Sequence, residues 1–281
     1  MRMNDTEAFY SQTQGIKLLE TAIQAFGPVF SSEGLKPIAI EQGLSIPHLR
    51  VLISSLAAAG WIDIIKRGTY VVKSPIFTGE ISPFAIAAAL IQPMAISHWS
   101  ACSHHGFTTQ NPTMIQASTP KKIVTPEMRT GKVESPRGRA IWHANNMQFE
   151  FIHIQTKRFW GFNKIWVNSW LQVNITDPER TALDLIARSD IFGGISAAIE
   201  IMESALNQID LTILIEYTIR YGMGSITKRM GWILERLGID RPILEPLRAY
   251  HVPNTILLDP AHQSSPKKND YWQIIENLKD L

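Results

Sequence analysis

The sequence of 281 residues has one cysteine, a net charge of only +2 and no long apolar run. A single cysteine, Cys102, cannot form an internal disulfide, which favours a reducing compartment. The longest apolar stretch, PFAIAAALIQPMAI, is interrupted by Gln92 and Pro93 and is shorter than the roughly 20 residues that a membrane helix needs. The N-terminal MRMNDTEAFYSQTQ has no apolar signal core. We therefore expect a soluble, cytoplasmic protein that contacts no membrane.

Sequence motifs of several enzyme classes are also missing. The sequence has no G-x-S-x-G nucleophile elbow, no G-x-x-x-x-G-K-[ST] phosphate loop and no G-x-G-x-x-G dinucleotide fingerprint. His98 and Cys102 stand four residues apart, a spacing that suits two ligands of one metal ion. A structural zinc site normally needs four ligands, and no second cluster of suitable spacing follows. We expect no cofactor, no bound metal and no catalysed reaction.

Large apolar side chains are plentiful, and the charge is unevenly distributed. Hydrophobic residues make up 45% of the chain, with eight Trp and eleven Phe, and the length favours about two domains. Residues 1–75 carry 7 Lys or Arg against 6 Asp or Glu, residues 76–170 carry 9 against 4, and residues 171–281 carry 11 against 15. Nucleic-acid contacts are therefore expected in the first two parts of the chain.

The first 75 residues have the order helix, helix, turn, helix, hairpin. Residues 1–15 are expected to form a loose leader, followed by an amphipathic helix that ends near Gly27. The second helix is predicted to open at Pro37 and to close at Gly43. This order is typical of a winged helix-turn-helix, and a Gly at the turn lets the chain take a left-handed conformation.

The third helix is predicted to run from an N-cap at Ser45 to a stop at Gly60, and it divides into two faces. A leucine-rich stripe must face the core. The opposite face would enter a DNA major groove, where Arg50 suits a guanine edge and Val51 a thymine methyl group. The tip of the following hairpin would contact a phosphate or the minor groove. The core stripe is Leu49, Leu52, Ile53 and Leu56, and the candidate DNA contacts are Ser45, Pro47, His48, Arg50, Val51, Ser54, Lys66, Arg67 and Thr69.

A protein-docking role for this module stays open, because Arg50 is the only permanent cation on the outer face of the third helix. A second basic segment, residues 118–140, carries six Lys or Arg against two Asp or Glu, and its Pro and Gly content predicts a loop or ragged hairpin. It is either a second nucleic-acid contact or a solvated connection. Its cations are Lys121, Lys122, Arg129, Lys132, Arg137 and Arg139.

The rest of the chain predicts a larger mixed domain, so that the fold class is α+β. Residues 113–174 are rich in β-branched and aromatic residues and predict the strands of an antiparallel sheet. Three helices are expected at roughly 178–188, 194–207 and 210–237. The tail is expected to contain a short strand, TILLD, and a last helix, YWQIIENLKDL.

The segment NITDPERTALDLIAR collects acidic residues, and two interpretations compete for it. Asp177 suits the N-cap of a helix and Pro178 its first turn; Thr176 with Glu179 would make an alternative capping box. Arg180 and Asp184 have the i, i+4 spacing of a helical ion pair. The competing interpretation is a metal-dependent nuclease that uses converging carboxylates. Its candidate residues are Asp177, Glu179, and Glu134 with Glu150.

ITDPERTALDLI resembles the signature segment of the AbiEi-family antitoxins, which are the regulators of type IV toxin–antitoxin and phage-defence operons. AISHWSACSHHGFTTQNP is similar to another helix of that family, and the resemblance extends from about residue 15 to about residue 260. It implies a winged-helix domain, residues 1–75, that represses its own operon by binding operator DNA. It also implies a second domain, residues 76–281, that counteracts a nucleotidyltransferase-like toxin, often without a stable complex. The DNA-contacting role then falls on His48, Arg50, Ser54, Lys66 and Arg67, whereas the tail from Gln263 to Leu281 matches no pattern of the family.

Overall fold

The computed structural model of the chain describes residues 5–73, 75–131, 138–250, 253–261 and 267–278. Helices and several short sheets alternate along these residues, so the expected α+β class is confirmed. The chain divides into two compact units. No helix among the described residues is long and apolar enough to cross a bilayer. The first unit comprises Met1–Ala95, Thr119–His153 and Lys164–Asn174, and the second Ile96–Ser118, Ile154–Asn163 and Ile175–Leu281.

The N-terminal part of the first unit begins with three helices, α1 (Asp5–Phe26), α2 (Ser32–Glu41) and α3 (Ile46–Ala58). The expectation of a loose leader over residues 1–15 is wrong from Asp5 onward, because α1 already begins there. The predicted start of α2 is also wrong. Ser31, whose Oγ accepts a hydrogen bond from the Gly34 backbone N–H at 3.1 Å, caps α2 well before the proline.

The connection from α2 to α3 follows the predicted turn. Gly43 has a φ of +72°, which an L side chain adopts only at a cost, and the Leu44 N–H donates to the Ala39 carbonyl. Ser45 then caps α3, as expected, and its Oγ accepts from the His48 N–H at 3.4 Å. The two helices meet over a shared apolar core that includes Leu35, Leu49 and Leu52.

A three-stranded antiparallel sheet completes this module. It contains β1 (Val29–Ser31), β2 (Ile62–Lys66) and β3 (Thr69–Val72), in the order β1-β3-β2. The β2–β3 hairpin is the predicted one, whereas β1 was not predicted. A further helix of the same unit, α4 (Pro83–Leu90), packs against β1 and β3.

Another hairpin belongs to the first unit, β6 (Arg139–Ala144) with β7 (Met147–His153), paired antiparallel from Arg139 with Ile152 to Ala144 with Met147. Its two turn residues, Asn145 and Asn146, have φ of +49° and +60°, the backbone that a tight two-residue hairpin turn requires.

Four further strands, β4 (Ala95–Ile96), β5 (Ile115–Thr119), β8 (Phe162–Trp166) and β9 (Gln172–Thr176), are neighbours in the order β5-β4-β9-β8. A short helix, α5 (His98–His104), follows β4. The antiparallel sheet was expected from residues 113–174; the structure adds a parallel pair, because β4, which lies before that range, runs parallel to β9 through Ile96 and Ile175. Two parallel strands cannot be joined by a tight turn, and several elements, from α5 to β8, lie between β4 and β9 in the chain.

Five helices of the second unit follow β9. Two of the three expected helices are present, and the third is divided at Gly222, whose φ of +69° ends one helix before the next begins. A helix after it had no sequence-based prediction. In chain order these helices are α7 (Pro178–Ala187), α8 (Ile195–Ala205), α9 (Leu211–Tyr221), α10 (Gly224–Arg236) and α11 (Arg241–Ala249); α6 (Pro126–Arg129) is a single turn in the first unit.

The tail forms a small sheet instead of the expected last helix. Strand β12 (Ile274–Glu276) pairs parallel with β10 (Ile256–Leu257) and antiparallel with β11 (Lys267–Asn269). Residues 270–273, at the start of the expected helix, form a turn in which Gln273 has a φ of +52°, and the chain is extended from Ile274 to Glu276.

Candidate nucleic-acid interface

Helix α3 presents two chemically different faces, as the sequence predicted. At 3.6 residues per turn, Leu49, Leu52, Ile53 and Leu56 share one side, and all four are at most 7% exposed. The other side is open to solvent, and its residue Val51 is 54% exposed. The exposed residues of α3 are Pro47, His48, Arg50, Val51, Ser54, Ser55 and Ala58.

The exposed face of α3 carries one cation and few hydrogen-bonding groups. Arg50 and Ser54 lie one turn apart, and Pro47 and Val51 continue the same stripe. His48 lies on its flank. Ser45 is exposed too, but its Oγ already accepts the cap bond from the His48 N–H. This face therefore offers one guanidinium, the hydroxyls of Ser54 and Ser55, one imidazole and an apolar surface within a few turns of helix.

The turn of the β2–β3 hairpin is held close to the start of α2. The Gly68 carbonyl accepts from the Ser32 N–H at 2.9 Å. Gly68 has a φ of +73°, and a Cβ there would lie 2.9 Å from the Ser32 Oγ. Only glycine fits this position without displacement, and the neighbouring Arg67 is exposed at the tip.

Two of the expected contacts at the hairpin are placed elsewhere. The Lys66 Nζ donates to the carbonyls of Ala89 and Leu90 at 3.1 and 2.8 Å, and so stabilises the C-terminal end of α4. Burial lowers the pKa of Lys66, and the charge of Lys121 lowers it further. Thr69 is only 7% exposed and pairs with Ser31 inside the sheet. The hairpin tip therefore presents Arg67, and not Lys66 or Thr69.

The second basic segment is divided between exposed and paired side chains. Lys121, Lys122 and Arg129 are exposed. Arg139 is already engaged, because its Nε donates to the Glu150 Oε1 at 2.5 Å and the carboxylate is 1% exposed. The remaining two cations of the prediction, Lys132 and Arg137, lie outside the described residues, as does Glu134.

The acidic residues at the start of α7 have structural partners. Asp177 is the N-cap: its Oδ1 accepts from the Arg180 N–H at 2.7 Å and its Oδ2 accepts from the Tyr217 hydroxyl at 3.0 Å. Burial raises the pKa of Asp177, although the bonds from Arg180 and Tyr217 lower it again in part. Burial, together with the hydrogen bond to Asp177, raises the pKa of Tyr217 to about 12. The Glu179 Oε1 accepts from the Asp210 N–H at 2.8 Å.

The expected ion pair of α7 is present, but it is buried. The Arg180 Nε donates to the Asp184 Oδ1 at 3.0 Å, and the side chains are 1% and 4% exposed. The Arg180 Nη1 donates to the Arg158 and Trp160 carbonyls at 2.7 and 3.0 Å. The Arg180 guanidinium therefore links residues 158–160, which precede β8, to α7. A sequence signal for this burial is the share of apolar residues around the pair, since Ala182, Leu183, Leu185 and Ile186 are buried with it.

Gly161 shows how closely that segment approaches α7. Its φ is +79°, and a Cβ there would lie 2.9 Å from the Arg180 Cβ. The Gly161 carbonyl also accepts from the Asp177 N–H at 3.0 Å. The order of Asp, Pro, Glu and Arg at the start of α7 is thus accounted for by a capped helix whose arginine is buried against the Gly161 backbone.

The His98 and Cys102 pair of α5 lies inside the second unit. His98 is 1% exposed, with its Nδ1 2.8 Å from the Ser97 Oγ, and Cys102 is fully buried. Burial raises the pKa of the Cys102 thiol, and the charge of Asp184 raises it further. Among the residues that the structure describes, no three His, Cys, Asp or Glu side chains are grouped as metal ligands.

Comparisons with known proteins bear on the fold. No protein-family model matches the chain, and no curated protein matches it. The chain is similar to the crystal structure of the RV2827C protein from Mycobacterium tuberculosis, with a TM-score of 0.62 and 15% sequence identity. The superposition covers 93% of this chain and 91% of the other, so the two share a fold over nearly their whole lengths.

Proposed function

We propose that this protein is a DNA-binding autorepressor and antitoxin of a type IV toxin–antitoxin, or phage-defence, operon. Residues 1–75 act as a winged helix-turn-helix domain on operator DNA. Residues 76–281 act as the antitoxin or regulatory domain and counteract a nucleotidyltransferase-like toxin without a stable complex. The protein itself catalyses no reaction and works in the cytoplasm.

The observation that carries the DNA-binding proposal is the exposed face of α3. This helix follows a tight turn after α2, buries its leucine side and leaves Arg50, Val51 and Ser54 open. Helices in this position of a helix-turn-helix enter the major groove through that side. Arg50 has the two parallel N–H donors that a guanine edge accepts, and Val51 suits a thymine methyl group. Arg67, at the tip of the hairpin, supplies a phosphate or minor-groove contact.

The antitoxin half of the proposal is supported by the family resemblance of the α5 and α7 segments. Both segments lie in the second unit and are well ordered by buried bonds, α7 through Arg180 and α5 through Ser97 and His98. These bonds explain why the two motifs have their residue pattern. They identify no toxin-contacting residue.

Loss of the two exposed arginines tests the DNA-binding role. The probe is a duplex taken from immediately upstream of the protein's own coding sequence, measured by gel shift with the full-length chain. Arg50→Ala removes about 1–3 kcal/mol of base contact, a loss of roughly 5- to 150-fold in affinity, and Arg67→Ala weakens binding further. Lys17→Ala, an exposed lysine of α1, is the charge-matched control. An affinity unchanged by Arg50→Ala and Arg67→Ala together rejects these roles.

A protein-adaptor role is the alternative that a specific observation favours. Among the described residues of the module, three large apolar side chains are more than half exposed, Ile40 at 64%, Val51 at 54% and Ile64 at 55%. An adaptor binds no DNA, or binds it without the steep loss of affinity that added salt causes in phosphate contacts. A metal-dependent nuclease, the enzyme alternative, predicts cleavage of plasmid DNA in magnesium by the purified chain.

A further inference from the structure

Lys121 and Lys122 follow strand β5 and belong to the same compact unit as α3 and the β2–β3 hairpin. Both side chains are exposed. In the described stretch from residue 119 to residue 131, these lysines and Arg129 stand against one acidic residue, Glu127. The segment therefore adds positive charge to the surface of the first unit.

Hydrogen bonds tie this segment to the same structural element as the hairpin. The Thr119 Oγ1 donates to the Pro93 carbonyl at 2.7 Å and accepts from the Lys121 N–H at 3.2 Å. Pro93 follows α4, and the last carbonyl of α4, that of Leu90, accepts from the Lys66 Nζ at 2.8 Å. The backbone at Lys121 and the end of strand β2 are therefore both fastened to the end of α4.

A second contact and the electrostatics agree with that placement. The Trp142 Nε1, in the strand that follows the basic segment, donates to the Ile65 carbonyl of β2 at 3.3 Å. Burial lowers the pKa of Lys66, and the charge of Lys121 lowers it further, which agrees with the contacts above. The Lys66 ammonium donates to carbonyls at the end of α4, whereas the Lys121 side chain is exposed.

We propose that Lys121 and Lys122 contact the phosphate backbone of duplex DNA beside the hairpin tip, so that the footprint extends past the groove occupied by α3. This inference rests on the proposed DNA-binding function. A lysine ammonium on a flexible stem suits a phosphate and not a base edge, so the contact adds affinity without sequence preference. It replaces the phosphate contact that the sequence assigned to Lys66.

The test compares salt dependence in three full-length proteins, the wild type, Lys121→Gln/Lys122→Gln and a matched control, Lys17→Gln/Lys73→Gln. Lys17 is on α1, and Lys73 is at the open end of the hairpin, where its N–H donates to the Trp61 carbonyl. Both control lysines are exposed, so both double variants lose two charges. The probes are a duplex of about 30 base pairs, roughly three helical turns, from the upstream region and an unrelated duplex of equal length.

Each phosphate contact contributes about 0.9 to the slope of the logarithm of the affinity against the logarithm of the salt concentration. We expect the Lys121→Gln/Lys122→Gln slope to be shallower than that of the wild type and the control by about 1 to 2 on both duplexes. A slope equal to that of the control overturns the inference and leaves the proposed function intact. A loss confined to the upstream duplex also overturns it, because it indicates base recognition. No binding of either duplex by the wild type refutes the proposed function itself.

Discussion

Arg180 is the largest of the fully buried side chains, and its position explains the cluster of charged residues at the start of α7. Its guanidinium is held by Asp184 and by the carbonyls of Arg158 and Trp160. It also lies over the Trp160 ring, 4.7 Å from the ring centroid. The buried guanidinium thus links α7 to the segment that contains Arg158 and Trp160. Its loss leaves the buried Asp184 carboxylate without a counter-charge.

Removing Arg180 alone is expected to lower the stability of the protein strongly. Arg180→Met should reduce the free energy of unfolding by about 3–5 kcal/mol, because the Asp184 charge stays buried without its partner. Urea unfolding of the full-length chain measures this change. Arg188→Met is the control, since it breaks an ion pair with the exposed Asp190 and should cost about 1 kcal/mol or less.

The double variant Arg180→Met/Asp184→Leu separates the ion pair from simple packing. With both charges removed, most of the lost stability should return, because no unpaired charge stays inside. Equal stability of Arg180→Met and Arg188→Met would contradict the claim that the Arg180–Asp184 pair is buried and stabilises the fold. A double variant as unstable as Arg180→Met would contradict it too.

At the scale of the element, helix α7 begins at the N-cap Asp177, whose carboxyl group is buried. Burial raises the pKa of Asp177 above its ordinary value of 3.8. The folded protein therefore holds this proton to a higher pH than the unfolded chain does. The contribution of Asp177 to stability is largest in acid and decreases as the pH rises from 3.8 through the raised folded pKa.

Asp177→Asn makes this dependence measurable, because asparagine is an equally good N-cap and does not titrate. We expect the wild type to lose stability relative to Asp177→Asn as the pH rises from just below 3.8 towards neutrality, with a constant difference at higher pH. Urea unfolding of both proteins over a pH series provides the measurement. A wild type that gains stability over the variant in that window would show that charge stabilisation outweighs burial.

The elements that could be predicted from the sequence are those fixed by local signals. Ser45 and Gly60 bracket α3 because a cap and a left-handed stop need only the nearest residues. The start of α2 was misplaced because Pro37 is a helix-start signal in isolation, whereas Ser31 supplies the actual cap. Strand β12 was mistaken for a helix, since its pairing with β10 and β11 is non-local and propensity does not encode it.

The candidate site shows the same limit. The two faces of α3 follow from helical periodicity, so the sequence predicted Arg50, Val51 and Ser54 as exposed. Lys66 was expected at a phosphate and instead binds the end of α4, a helix more than twenty residues further along the chain. Nothing in the local sequence marks such a partner, because it depends on how α4 packs on the sheet.

At the scale of the whole molecule, the proposed DNA-binding domain, residues 1–75, is part of the first compact unit, which also contains residues 76–95, 119–153 and 164–174. The fold shared with the Mycobacterium tuberculosis structure covers 93% of this chain and therefore includes residues of both units. DNA binding is assigned to surfaces of the first unit, namely α3, Arg67 and the exposed lysines after β5. The two segments that resemble antitoxins, around α5 and α7, lie in the second unit.

Antitoxin activity predicts a growth phenotype that does not depend on the α3 face. Co-expression of the intact chain with a nucleotidyltransferase-like protein encoded beside it should restore growth that the toxin alone arrests. Arg50→Ala should restore growth equally well from a heterologous promoter, because the antitoxin role needs no operator. Colony counts on inducing plates measure both. Failure of the intact chain to restore growth would contradict the antitoxin role and leave DNA binding untouched.

The central claim is that the exposed side of α3 binds a duplex. A fluorescence anisotropy titration of the full-length protein with labelled upstream duplex, repeated between 50 and 200 mM salt, tests it most directly. The account predicts saturable binding that weakens linearly on a log–log plot as salt increases and is weakened further by Arg50→Ala. Absence of binding at about 50 mM salt, where phosphate contacts are strongest, would contradict it.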